Sequence, residues 1–349
     1  MNYLKIASAA LAAFVMVGCS DKKGDCCGKS ETCCEKKDAA CCESVVAQTV
    51  SPRFTAQADA VALIEPQALV KTALKILDEV KGGLPEEQVK EAEEYIAKVK
   101  KLGVEDIDWV AISGDTTSGA GAVSYARPLA DLMKVLEEVS DSTAEKIDVS
   151  GADAAYLIDK GGYFAQVGKV VLIAAKQADL EAQVKLYTEG YAAPAAFADI
   201  KTSDNGILNV KISSFGKALK ITGNGSSVVN QVLPDGERLL KECGELTIKV
   251  TTESAEISLE AGSVTDATTI KTGLDSVVMM AKMAYEEHKA ELVAELPPAV
   301  KEQLPAVDAA VKSLACTQKG KVVTLSVKAE ILKLAEALAP VVLSSASNR

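Results

Sequence analysis

Apolar and polar positions along this chain fall into short blocks that switch repeatedly between a two-residue and a helical period. Ala58–Glu65 reads as a strand, and Pro66 opens a helix to about Val80. Pro85–Lys101 is a second helix, with Val89, Ile96 and Val99/Leu102 on one stripe. Ile107–Gly114 and Ala120–Arg127 read as paired strands, followed by a helix over Pro128–Val139. Ala154–Asp159, Tyr163–Val167 and Lys169–Ala175 are short antiparallel strands punctuated by Gly161-Gly162 and Gly168, and Asp179–Tyr187 continues as a helix. The rhythm then restarts. Ile207–Ser213 is a strand, Val228–Lys241 is largely helical with an interruption near Pro234, and Leu246–Thr251 and Glu256–Ala261 form a strand pair. Asp266 is placed to cap a long helix to about Leu292, and a second helix covers Ala299–Leu314. Strands at Ala315–Gln318 and Lys321–Val327 lead into a last helix, Ala329–Leu338.

The restart has a counterpart in the residues themselves. Gly168–Lys176 aligns without gaps on Gly320–Lys328, an offset of 152 residues, and Leu180 then matches Leu332. Two related α+β repeats are therefore expected, over residues 53–203 and 204–349, each roughly β-α-β-β-α-β-β-α. Each is compatible with a split βαβ unit carrying an extra hairpin. Joined edge to edge, they would form antiparallel strands with helices packed on one face, leaving the other exposed or curved over a groove. In overall rhythm the body resembles uncharacterised secreted two-repeat proteins of environmental bacteria, a likeness that carries no residue roles.

Residues 1–52 are of another kind. Lys5 supplies a positive charge, Ile6–Val17 is an apolar run short for a bilayer, and Val17-Gly18-Cys19 follows. This start resembles a bacterial lipoprotein signal with its lipobox, with Met16 where Leu is usual. The resemblance implies cleavage after residue 18, lipidation of Cys19, and a membrane partner reached through that lipid anchor. With Ser20 after Cys19 and Asp21 one residue later, it places the chain in the cell envelope, favouring the periplasmic face of the outer membrane. Residues 19–52 lack apolar periodicity and read as a Cys-rich tether.

Composition sharpens this. Of the 349 residues 48% are apolar but only 4% aromatic, so the core is built of Ala, Val, Leu and Ile. The net charge of −11 argues against nucleic acid and against adsorption on anionic lipid heads.

In the tether, Cys26-Cys27, Cys33-Cys34 and Cys41-Cys42 place six thiols within seventeen residues. An all-sulfur set suits Cu(I) or thiolate-bound Zn, although structural zinc sites space cysteines by about two to four residues. The usage resembles metallothionein over this segment, without the Cys-x-Cys of that family. Disulfides within the segment or between molecules are the competing reading, and a redox role lacks a Cys-x-x-Cys motif. Cys243 and Cys316, both in the second repeat, are either a disulfide or small core residues.

Candidate catalytic chemistry is sparse. His288 is the single histidine and lies in the charged run Glu286-Glu287-His288-Lys289, which reads as a solvated helix face. No Gly-x-Ser-x-Gly elbow occurs, and Gly24–Ser30 ends like a phosphate loop but with its first glycine one residue too close. Gly114–Gly121 reads as a hairpin loop, Asp106 and Asp108 as one strand face, Trp109 as core, and Met279, Met280 and Met283 as helical packing. The reading that results is a non-enzymatic envelope lipoprotein without a cofactor, whose duplicated body binds a protein partner or an apolar ligand. The alternative is Cu or Zn binding or sensing through the cysteine pairs. A hydrolase with a Lys- or Asp-based site is a third reading.

Overall fold

The structure is a computed structural model that describes residues 51–55, 58–68, 107–115, 119–140, 142–158, 162–203, 205–218, 233, 235–295, 301 and 304–334, with isolated positions at 71, 90, 97 and 103. The strands are β1 (Ala60–Ile64), β2 (Val110–Gly114), β3 (Gly119–Ser124), β4 (Ala144–Lys146), β5 (Ala154–Ile158), β6 (Gly162–Val167) and β7 (Val170–Ala174), then β8 (Gly206–Ile212), β9 (Leu246–Thr251), β10 (Ser254–Glu260), β11 (Ala315–Lys319) and β12 (Val322–Lys328). The helices are α1 (Leu129–Ser140), α2 (Gln177–Thr188), α3 (Phe215–Ala218), α4 (Gly236–Lys241), α5 (Val264–Glu295) and α6 (Leu304–Ser313). The class is α+β, as the alternating periodicity predicts.

All twelve strands share one sheet, in the order β11-β12-β10-β9-β8-β1-β2-β3-β7-β6-β5-β4. Every described pair is antiparallel, so neither half is a split βαβ unit, which requires a parallel pair. Outward from the central β1–β8 pair the halves run in the same order. Ala62 pairs with Val210 across the seam. From Ala62 one row of directly opposed residues runs through Ile112, Gly121 and Ile173 to Phe164. From Val210 the corresponding row runs through Ile248, Ile257 and Leu325 to Cys316. The first half adds β4 and β5 beyond that row; the second ends at β11.

Because strand side chains alternate, each half has two distinct faces. In the first half both are apolar. Val61, Leu63, Ala111, Ala122, Ala165 and Leu172 form one cluster with Leu180, Val184 and Tyr187 of α2. Ile64, Val110, Val123, Ile158 and Val171 form another with Leu129 and Met133 of α1. Each fully buried Leu or Val here contributes about 1.5–3 kcal/mol. In the second half Leu259 and Val323 face Ala267 and Ile270 of α5 and Leu239 of α4. The opposite face carries Lys249, Glu256, Ser258, Thr324 and Lys328, and Ser258 and Thr324 share a 2.8 Å hydroxyl hydrogen bond. Helices on one face thus describe the second half, whereas α1 and α2 take opposite faces of the first.

The start of α5 follows from a cap. Ser263 Oγ accepts the Asp266 backbone N–H at 3.0 Å and donates to the Asp266 carboxylate at 2.6 Å. Ser263, rather than Asp266, is therefore the capping residue, with Asp266 bonding back to it as in a capping box. No helix among the described residues is long and apolar enough to cross a membrane.

Candidate functional site

A hollow of about 150 Å³ lies between α2 and the ends of β2 and β3. Its existence follows from small residues. Ala58, Gly114, Gly119, Ala120 and Ala182 line it, so the sheet and helix cannot close over it. Its polar lining comes from Thr55, Ser113, Asp115, Asp179 and Gln183. Asp179, Ala182 and Gln183 lie three and four residues apart and so share one face of α2. Gln183 is 3% exposed and Ser113 5% exposed. Neither side chain hydrogen-bonds to a described residue, and Asp179 Oδ2 is buried without a partner. A buried polar atom left in this state costs about 1–3 kcal/mol, so Asp179 Oδ2 beside the buried Gln183 is a feature to be explained.

The seam between the halves is closed on the α2 side. Lys211, 8% exposed on β8, reaches Asp199 and Glu245, each at 3.2 Å. Burial pushes its ammonium pKa down, but hydrogen bonds to Glu245 and Asp199 outweigh that and hold it above its ordinary value. Phe197 and Ile200 pack into the cluster that contains Val61 and Leu63. At the head of the body Arg53 is held by the Leu186 carbonyl at 2.7 Å and lies 5.3 Å from the ring centres of Tyr187 and Tyr191.

Helix α5 offers a different surface. Leu274 is its last residue in a core cluster. Further along, Met279, Met280 and Met283 are 58%, 57% and 63% exposed. The three occur at i, i+1 and i+4 and form one apolar patch rather than the core packing expected from their spacing. Beside it α6 is fastened to α5: Tyr285 donates to Asp308 at 2.6 Å, and Lys289 pairs with the same carboxylate at 2.6 Å. The Lys289 and Tyr285 hydrogen bonds hold the Asp308 carboxyl below its usual range, while burial and Asp308 push Tyr285 up to about 12.

His288 is exposed on α5, 3.3 Å from Glu291, as its charged surroundings predict. Trp109 is core at 3% exposure, and Asp108 accepts from Ser124 Oγ at 3.1 Å. Cys19, Cys26, Cys27, Cys33, Cys34, Cys41 and Cys42 lie outside the described residues. Cys243 and Cys316 are free thiols, so the disulfide considered for them is not present in the structure. Both border the α5 cluster, but against different turns. Cys243 feels Asp266 and Glu242, whereas Cys316 feels Asp275 and Lys271. The hollow itself was missed in the sequence. Its one signal was the glycine-flanked β2–β3 loop, which says nothing of the α2 residues that complete it.

Three comparisons with known proteins bear on this arrangement. No family of known proteins matches the chain, and no curated relative matches it. It is similar to a solved structure, crystal form IV of TP0453, over 80% of this chain and 93% of that one, with 12% identity and a TM-score of 0.39. At that score the likeness says nothing of function.

Proposed function

We propose that this chain is a non-enzymatic cell-envelope lipoprotein, lipid-anchored through Cys19, whose duplicated α+β body binds a protein partner. The address rests on the apolar run and lipobox-like Val17-Gly18-Cys19 at the start of the chain. Duplication rests on the matching strand order and register around the Ala62–Val210 pair. The binding surface is the methionine face of α5.

The observation that carries this reading is the exposure of Met279, Met280 and Met283 together. Unbranched thioether side chains adapt to an irregular partner, and such faces dock into apolar grooves of other proteins. Anionic lipid is the poorer occupant, because Glu286 and Glu287 follow the patch and the chain carries a net charge of −11. Replacing Met283 by a photo-reactive residue in living cells tests the reading, with Glu256 on the polar sheet face as control. A discrete adduct to one protein from position 283, and none from 256, is expected. Identical adducts from both positions, or none from either, would contradict it.

A further inference from the structure

The hollow under α2 opens to solvent on one side, and the polar part of its lining sets it apart from a packing defect. Voids left by small residues are normally lined with apolar atoms and stay dry. Here Gln183 and Ser113 are both more than nine-tenths buried, point no hydrogen bond at any described residue, and border the cavity. In the same lining the Asp179 Oδ2 atom is buried without a partner. The aspartates Asp115 and Asp179 bring negative charge to the same wall, and no Lys or Arg lines the hollow among the described residues.

The donor set defines the ligand. Two carboxylates, an amide carbonyl and two hydroxyls are all hard oxygen donors, with no imidazole or thiolate among them. Such a set selects Ca²⁺ or Mg²⁺ over transition metals. About 150 Å³ is room for one ion and a few waters, since a water in the liquid takes about 30 Å³. Mg²⁺ demands a near-ideal octahedron, whereas Ca²⁺ accepts six to eight irregularly placed oxygens, as side chains from a helix, a strand and two loops supply. We propose that this niche binds a hard divalent cation, Ca²⁺ in preference to Mg²⁺, through Asp115, Asp179, Gln183 Oε1 and the hydroxyls of Ser113 and Thr55. With only two carboxylates the affinity belongs with weak extracellular calcium modules, a Kd on the order of 0.1–1 mM. The inference depends neither on the lipid anchor nor on the methionine face.

Calorimetric titration of the full chain with CaCl2, and separately with MgCl2, tests it. One Ca²⁺ site is expected, at least tenfold tighter than for Mg²⁺, with a higher Tm in 10 mM Ca²⁺. Asp179→Asn and Gln183→Leu are each expected to weaken Ca²⁺ at least tenfold, while Asp275→Asn on α5 leaves it unchanged. Should Asp179→Asn fail to fold, Ser113→Ala reads the same wall with a smaller change. The proposal is overturned by no Ca²⁺ heat and no Tm shift at 10 mM, by binding that the niche variants leave intact, or by equal or tighter binding of Mg²⁺.

Discussion

Gln166 and Gln318 sit at corresponding places in the two halves, and each donates from Nε2 to the carbonyl of the glycine two residues on, Gly168 at 3.1 Å and Gly320 at 3.0 Å. Each also ties its hairpin to the start of the helix on the same face. Gln166 accepts the Leu129 N–H of α1 at 2.8 Å, and Gln318 donates to the Val264 carbonyl of α5 at 3.4 Å. Gln166 adds a bond to the Arg127 carbonyl at 3.2 Å. Gln166→Ala is therefore expected to cost about 1–3 kcal/mol and Gln318→Ala about 0.5–1.5 kcal/mol, read by urea unfolding. Equal losses would mean that the shorter Gln166 bonds carry no extra stability.

The turn glycines make a matched pair. Gly168 and Gly320 have φ of +59° and +60°, and a Cβ at either would meet nothing within 4 Å. Alanine at each is expected to cost the left-handed penalty alone, about 1–2 kcal/mol, by a similar amount at both. Gly216 is different, because a Cβ there would lie 2.2 Å from the Lys241 carbonyl oxygen. Gly216→Ala must displace backbone, so it is expected to lower the unfolding midpoint more than either turn variant.

Lys211 gives the seam a pH signature at the alkaline end. Its folded pKa is raised, so its contribution is present below the unfolded value of about 10.4 and is lost as pH rises through the folded value. Comparing Tm between pH 8 and pH 12 for the native chain and Lys211→Met checks this. The native chain is expected to lose its advantage, or gain a deficit, relative to the variant above about pH 10.4. A difference that does not change with pH would show that the ion pairs are not coupled to folding.

Asp308 gives the opposite sign at the acid end. Its lowered carboxyl contributes above the unfolded value of about 3.9, and the contribution disappears as pH falls through the folded value. Amide exchange of α6 is expected to accelerate below about pH 4 in the native chain, beyond the intrinsic pH effect, and to show no such step in Asp308→Asn.

The two thiols of the body are expected to react separately. Burial pushes the Cys243 thiol up to about 11, with Asp266 and Glu242 adding to the effect, and its Sγ donates to the Leu239 carbonyl at 3.2 Å. With the six tether cysteines and Cys19 replaced by serine, a thiol reagent at pH 8 is expected to modify the half-exposed Cys316 first and Cys243 only on unfolding. A single unreactive disulfide would contradict the two free thiols of the structure.

Most strands were legible in the sequence because period-two blocks bounded by glycine depend on local pattern alone. Leu246–Thr251 was read to the residue, and the Gly168/Gly320 alignment pointed to hairpins that share a turn conformation. Four features were not legible. Edge-to-edge joining of antiparallel strands was expected, but which two strands form the seam was not, since Ala62 and Val210 carry no mark of their pairing. The second helix-covered face of the first half arises because Val170 and Val171 are both apolar, so the strand lacks the alternation that would show one solvent side. The niche joins Ser113 to Gln183 across seventy residues of sequence, and neither residue type is unusual at its own position. Met279, Met280 and Met283 were read as packing because helical spacing alone does not tell an inward stripe from an outward one.

We propose that this body hangs from a membrane by a lipid on Cys19. Mass spectrometry of the N-terminal peptide of the membrane-extracted protein measures it directly. The expected product is a chain that begins at Cys19 with a diacylglyceryl thioether on its sulfur, and a Cys19→Ser variant that lacks the modification. An unmodified Cys19 thiol, or a mature chain that begins at any other residue, would contradict it.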